Sequence, residues 1–347
     1  MSDTLTIPSI APGKHRALGL NPEDLLDMYS KMVLTRVLDQ RVWALNRQGK
    51  VAIVGSCTGH EGAQVGAAWG MDRSRDIFFT FYRDLCLLLT LGITPKELLL
   101  GYMAKAGEPF SGGRMFPGHG VYPKYRVFNL SNVVGAQMTK AVGAALAAKI
   151  RREPTVVLVS FGDGATSQGE WHEALNFAGI HRLPVVFLCE NNRWAISVPH
   201  HKQMAVPDVV LRAPGYGMPG RLVDGTDPLE VLQAVREAAE RARRGEGPTL
   251  VEAKVERLMP HTSDDDDRRY RPREDLERAK ARDPIPRFRS YLMGEGILTE
   301  EQDKAIWERA QEEVDKATDE AEKAPFPDPS TLLDHLWATP PGRPKGG

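Results

Sequence analysis

Two apolar runs near the middle of the chain, Thr155-Val156-Val157-Leu158-Val159-Ser160-Phe161 and Pro184-Val185-Val186-Phe187-Leu188-Cys189, show almost no polar alternation. Short runs rich in β-branched residues and bounded by Gly, Asn and Pro predict strands buried on both faces, as in a parallel sheet. Between them, Trp171, Ala174, Leu175 and Ala178 recur at helical spacing, so a helix over 166–180 completes a strand–helix–strand unit. Ile77 to Phe81 predicts a further strand ending at Tyr82-Arg83-Asp84, 221–225 a short strand and turn, and 248–255 a strand with polar alternation. Asn21-Pro22-Glu23-Asp24 is a helix start, leading into Leu25, Met28, Met32 and Val33. Further helices are expected over 85–89, 94–104, 135–151 and 228–244, and a loop with a closely packed helix over the Gly- and Ala-rich stretch 55–70. Residues 105–124 hold many Gly and Pro and no sustained period, which predicts a long functional loop. The fold class is therefore α/β, a mainly parallel sheet flanked by helices with a C-terminal helical segment. The expected organisation is a loose arm over 1–20, the α/β domain over 21–275, a helical extension over 276–338 and a tail over 339–347.

A chain of 347 residues is long enough for one large α/β core. A net charge of −1 with 26% charged residues provides no electrostatic reason to expect nucleic acid or an anionic membrane as partner. No apolar run approaches the roughly 20 residues that span a bilayer, and the first residues lack a hydrophobic signal core. Cys57, Cys86 and Cys189 fit neither metal spacing nor a disulfide framework, so a cytoplasmic protein with reduced packing cysteines is expected.

The chemistry concentrates at strand ends. Gly162-Asp163-Gly164 follows the first run and Asn191-Asn192-Arg193-Trp194 the second. Ligands of open α/β sheets bind outside the carboxyl ends of strands. Asp163, Asn192 and one backbone carbonyl would suit Mg²⁺, a hard cation that takes oxygen ligands and keeps places for phosphates. An ordinary βαβ turn with a surface Asp and a capping Asn is the alternative. Tyr82-Arg83 offers a phenol and a fixed cation where a phosphate could sit, or else a core-edge Tyr beside a surface Arg. His261 follows a strand and precedes Asp264 to Asp267; that acidic run lacks the glycine and ligand spacing of a calcium loop and is expected to be solvated. Met115, Phe116 and His119 in the Gly-rich loop suggest a pocket wall or an irregular core loop.

The GDG…NN pair resembles the fold-marker of enzymes that use thiamine diphosphate. Gly162 and Gly164 would let the backbone approach the diphosphate, and a helix starting near Ser167 would point its N–H groups at it. In order along the chain, Phe81-Tyr82-Arg83-Asp84, Gly113-Arg114 to His119, Ser131 to Gln137, Gly162-Asp163-Gly164, Glu190 to Ser197, Pro214-Gly215-Tyr216-Gly217, Val223-Asp224-Gly225 and His261 to Arg271 are similar to one family. It is the α subunit of the E1 component of 2-oxo acid dehydrogenase complexes, more the branched-chain than the pyruvate type.

The resemblance implies Mg²⁺ on Asp163, Asn192 and the carbonyl of Trp194. It implies thiamine diphosphate against Tyr82, Arg83, Val134, Gly162, Gly164, Ala165, Ile196 and His261. Phe81, Tyr82, Phe116, His119 and Ser131 would approach the substrate, and His119 and His261 would supply protons or stabilise charge, because an imidazole titrates near neutrality. The implied reaction is oxidative decarboxylation of a 2-oxo acid with reductive acylation of a lipoyl group on the E2 component. The family's activating Glu comes from a β subunit, and no second domain of this type follows residue 270, so an α₂β₂ assembly is expected. The helix over 135–151 and the C-terminal helices are the candidate subunit contacts. Trp194 stands where Tyr is commoner, Asn132 where a Ser is usual, and Thr262 where the animal enzymes carry a regulatory Ser. Met115-Phe116 replaces a Gln-Met pair of the branched-chain type, which leaves pyruvate or acetoin as alternative substrates. A non-catalytic phosphate-binding module using 162–164 as an anion loop is the reading from another class; it requires neither Asn192 nor Mg²⁺.

Overall fold

The computed structural model describes residues 9–116, 119–131, 133–334 and 337, with the side chains of 129–131 left aside. Seven strands form one sheet in the order β2-β3-β1-β4-β5-β9-β8. They are β1 (Ile77–Phe81), β2 (Gly120–Tyr122), β3 (Val127–Ser131), β4 (Val157–Gly162), β5 (Val185–Asn191), β8 (Gly220–Asp224) and β9 (Thr249–Lys254), while β6 (Trp194–Ala195) and β7 (Val198–Pro199) make a separate two-stranded hairpin. All pairings in the main sheet are parallel except that of the edge strand β2 with β3. β4, β5 and β9 are buried along nearly their whole length, as their unbroken apolar runs require. Even the polar positions of β9 are inside: Glu252 is fully buried and its carboxylate accepts from Asn191 Nδ2 (2.7 Å), the Val210 N–H (2.7 Å) and Lys254 (2.6 Å). The alternation along 248–255 thus marks a charge network within the fold and no solvent face.

The expected elements at 77–81, 85–89, 94–104, 135–151, 221–225 and 228–244 are all present, the last strand of these as Gly220–Asp224. Asn21 caps the helix Pro22–Arg47 in a reciprocal box with Asp24 (2.9 Å both ways). Two expectations change. β2 and β3 arise where no strand was expected: the apolar Val127-Phe128 pair of β3 finds a parallel partner in β1, and β2, within the segment 105–124 expected to be a loop, pairs antiparallel with β3. The arm is also not loose throughout: Ile10, His15 and Leu20 are buried, and the His15 ring meets the Tyr291 hydroxyl at 2.7 Å.

The Gly- and Ala-rich stretch packs as its composition suggests. Helix Glu61–Gly70 lies on helix Pro228–Arg243 so closely that a Cβ at Gly66 would come 2.4 Å from the Pro228 carbonyl oxygen. The C-terminal helix Glu300–Lys323 turns Ile306, Ala310, Val314, Ala317 and Ala321 inward and packs on helices Pro22–Arg47 and Pro95–Tyr102. That face is therefore occupied within the chain, although it was a candidate for a subunit contact. Among the described residues no helix is long and apolar enough to cross a membrane.

Gly66→Ala forces backbone against backbone, so urea unfolding should show a loss of about 1–3 kcal/mol. Gly143→Ala, on the exposed side of helix Gln137–Arg151 with no protein atom within 4 Å of the new Cβ, should instead gain about 0.5–1 kcal/mol. Equal effects of the two changes would disprove the packing argument.

Candidate active site

The strand order reverses direction at the β1–β4 junction: β3 was added on one side of β1, and β4, β5 and β9 follow on the other. A crevice opens at such a junction beyond the carboxyl ends of the strands. Here a cavity of about 450 Å³ is lined by Phe81, Tyr82 and Arg83 after β1, Phe161 to Ala165 after β4, Asn192, Trp194 and Ile196 after β5, and His261 and Thr262 beyond β9. Phe116, His119 and Val134 close the remaining wall. All the expected site residues meet in this one cavity except Ser131, which ends β3 and whose side chain lies outside the described residues. Asn132, Pro117 and Gly118 also lie outside them.

β4 and β5 pair in register with Gly162 beside Glu190, which carries Asp163 and Asn192 to neighbouring strand ends. Asp163 is 1% exposed and its Oδ2 has no hydrogen-bond partner among the described residues. Burial pushes its carboxyl up to about 6, against the opposing pull of backbone N–H groups and of Lys254 and Arg257. An orphaned, buried carboxylate oxygen facing a cavity suits a hard divalent cation. Asn192 Oδ1 accepts the Trp194 N–H at 3.1 Å, and its Nδ2 lies 3.2 Å from His60 Nε2. The two elements between β4 and the next strand differ from expectation: a 3₁₀ turn over Asp163–Ser167 precedes the helix, which starts at Gly169. The helix thus begins two residues later than the expected start near Ser167.

A layer behind the cavity was not anticipated. His60 Nδ1 lies 2.6 Å from Glu190 Oε2, and Gln64 Nε2 donates to the same oxygen at 3.0 Å and to the Arg83 carbonyl at 2.9 Å. Burial raises Glu190 to about 7, and burial together with Glu190 pushes Asp84 well up. The sequence signal for this layer was weak, because a lone His followed by Glu in a Gly-rich stretch is most often structural.

The opposite wall is cationic. Arg83 is buried; its guanidinium donates to the Ser56 carbonyl, to the His261 carbonyl (3.2 Å) and to His261 Nδ1 (3.3 Å), and it stacks 5.1 Å from the Tyr82 ring centroid. Accepting at Nδ1 leaves His261 its proton on Nε2. Desolvation, then Arg83 and Arg257, lower His261 to about 3. The expectation that this imidazole titrates near neutrality is thus corrected: with two buried guanidinium groups beside it, His261 is a neutral hydrogen-bond donor. The acidic run is corrected as well, for Asp265 accepts the His261 N–H (2.8 Å) and the Tyr270 hydroxyl, and Asp267 is buried.

The loop that carries Phe116 is ordered by two devices. The Glu108 carboxylate accepts the N–H groups of Phe110 (2.7 Å), Ser111 (2.8 Å) and Gly113 (2.6 Å). Arg114 donates to the carbonyls of Thr331 and Leu332, tying the loop to the C-terminal segment. Phe116 stays half exposed, with its ring centroid 6.2 Å from that of His119.

An α/β sheet with an acid and an amide at neighbouring strand ends and buried cations opposite defines a site suited to an anionic ligand. The family model described as "Dehydrogenase E1 component" matches residues 29–330, and the chain belongs to that family. Its members are oxidoreductases of the 2-oxo acid dehydrogenase type, which use thiamine diphosphate. The chain is 48% identical to the 2-oxoisovalerate dehydrogenase subunit alpha of Bacillus subtilis over 329 residues, 95% of this chain and 100% of that protein. It is 41% identical to the 3-methyl-2-oxobutanoate dehydrogenase subunit alpha of Mycobacterium tuberculosis, over 94% of this chain and 84% of that one. Identity to the pyruvate dehydrogenase E1 component subunit alpha of Staphylococcus aureus is 34%, over 93% and 84%.

Ionised Asp163 is penalised in the folded chain, since its pKa there, about 6, exceeds its ordinary 3.8. The penalty is full above pH 6, about 3 kcal/mol for two units, and vanishes as pH falls below 4. Asp163→Asn should therefore stabilise the cofactor-free, metal-free protein in urea melts at pH 8, with the gain shrinking toward pH 4. A pH-independent effect would show that the carboxylate is not held at a cost.

Proposed function

We propose that this chain is the α subunit of a branched-chain 2-oxo acid dehydrogenase E1, which with a β subunit decarboxylates its substrate oxidatively and acylates the lipoyl group of an E2 component. The observation that carries the reading is the buried, unpartnered Asp163 Oδ2 beside Asn192, facing Arg83 and neutral His261 across one cavity. Asp163 Oδ, Asn192 Oδ1 and the Trp194 carbonyl supply the oxygen set for Mg²⁺. Arg83, Tyr82 and the Nε2–H of His261 supply donors for a diphosphate. The thiamine ring system supplies carbanion chemistry when bound, and the protein's part is to hold, orient and activate it.

The residues of this chain divide the work by charge. Asp163 would lose the cost of its buried carboxylate on holding Mg²⁺, and the guanidinium of Arg83 would meet the remaining phosphate charge. Val134 and Ile196 provide apolar contact for the ring system, and Phe81, Phe116 and His119 face the acyl group. His261 donates a hydrogen bond and does not carry a proton to and from the reaction in its present surroundings. His119, beside Phe116, is the better candidate for proton handling. Ile150 and the Phe177 and Ile180 side chains are exposed on two adjoining helices, whose C-terminal ends are joined by Lys149 Nζ to the His181 carbonyl at 2.6 Å. An exposed apolar edge of this kind suits a subunit contact.

The branched-chain substrate is favoured over pyruvate because the relatives named for branched substrates are 48% and 41% identical, against 34% for the pyruvate-named one. The test is a panel of 2-oxo acids, assayed with the β partner, thiamine diphosphate, Mg²⁺ and an artificial electron acceptor. Branched 2-oxo acids should exceed pyruvate in kcat/KM by roughly tenfold or more, the scale that one or two methylenes in an apolar pocket can discriminate. The α chain alone should be inactive. Preference for pyruvate would overturn the substrate, and robust decarboxylation by the single chain would overturn the assembly.

A further inference from the structure

Two residues of the hairpin that bears the expected metal ligands sit in the left-handed region without being glycine: Arg193 at φ 68° and Ile196 at φ 57°. They flank Trp194 and Ala195. An L side chain at such a φ is strained, most of all for a β-branched or bulky residue, and the conformation persists only where its surroundings enforce it. The His200 N–H donates to the Arg193 carbonyl at 2.9 Å, and two further contacts come from consecutive residues just past β9. The Glu256 carboxylate pairs with the Arg193 guanidinium, and Arg257 donates to the Ile196 carbonyl at 2.9 Å.

Glu256 is well placed to hold. Its side chain is 3% exposed, and its second oxygen accepts from Arg282 Nε at 3.0 Å. Arg282 in turn bonds Asp224 at 2.8 Å, at the end of β8. The backbone under it is close-packed, since a Cβ on Gly59 would come 2.1 Å from the Glu256 carbonyl oxygen. One end of the Arg193 pair is thus fixed to the sheet, while Arg193 itself is about half exposed. Locally, the Arg193 N–H also donates to Asn191 Oδ1 at 2.8 Å.

We propose that Glu256 is a positioning residue for the metal loop. By tethering Arg193 it keeps position 193 left-handed, so that Asn192 Oδ1 and the Trp194 carbonyl face Asp163 together. The proposal rests on the Mg²⁺ reading of Asp163, Asn192 and Trp194 and adds to it a partner that touches neither metal nor cofactor. Outer groups that orient ligands typically alter metal affinity by 10- to 100-fold when removed.

Glycine takes the left-handed conformation without strain, so it should dispense with the tether. The measurement is the Mg²⁺ dependence of thiamine diphosphate binding by calorimetry, on the chain assembled with its β partner. Arg193→Ala removes the ion pair and keeps the strain, and should weaken Mg²⁺ about tenfold. Arg193→Gly removes both and should stay within about twofold of the parent. Glu256→Gln should weaken Mg²⁺ like Arg193→Ala, and adding Arg193→Gly to it should restore affinity. Equal affinities for Arg193→Ala and Arg193→Gly would overturn the proposal, and so would a Glu256→Gln defect that glycine at 193 leaves in place. The Arg193 pair of variants alters an exposed side chain and decides the matter even if Glu256→Gln does not fold. A parent assembly that binds thiamine diphosphate without Mg²⁺ dependence would instead overturn the metal reading itself, and the tether with it.

Discussion

The arrangement of this protein depends on a carboxylate that the fold leaves buried and unsatisfied. Asp163 stands at the end of a strand inside a parallel sheet, where both faces are covered and water is scarce. Its Oδ2 has no partner among the described residues, and burial raises its pKa to about 6. Such a group costs stability unless something enters the cavity to neutralise it. The surroundings then follow: oxygen donors gather on its side of the cavity, and buried guanidinium groups with a neutral imidazole gather on the other. This separation of charge suits an anionic ligand in the cavity.

The supporting layer explains why the side chains around the cavity stay in place. Asn192 is oriented by His60, His60 by Glu190, and Glu190 by Gln64, which also holds the backbone at Arg83. One chain of hydrogen bonds therefore ties the acidic side of the site to the cationic side. Every member is buried, so the removal of one leaves a polar group without a partner. The hairpin over 194–199 is held from the outside by residues that follow β9. The site thus draws on the ends of four strands, and its precision comes from the sheet and not from any single loop.

Much of this was legible in the residues. The uninterrupted apolar runs of β4 and β5, the Asn21 cap and the Gly-rich face of 61–70 each announced their element through local physics. Asp163, Asn192, Arg83 and His261 were legible through residue type and position after strands. β3 was not, because two apolar residues acquire strand character only beside β1. Nor was the order within 105–116, which depends on the Glu108 carboxylate turning back onto three N–H groups and on carbonyls more than 200 residues away. The same holds for the charge of His261. An imidazole in a polar loop titrates near neutrality, and only its burial in the folded site, with Arg83 and Arg257 close by, drives its proton off.

The sequence by itself determined the fold class, the strand ends that carry chemistry and the family to which they belong. These follow from periodicity and from residue types at short spacing, which are properties of a chain before it packs. Tertiary structure alone decided which groups are buried together: the shared oxygen of Glu190, the orphaned oxygen of Asp163, the neutral His261 and the strained Arg193 held by Glu256. Desolvation and charge–charge interaction depend on distances between segments remote in sequence, and folding creates those distances.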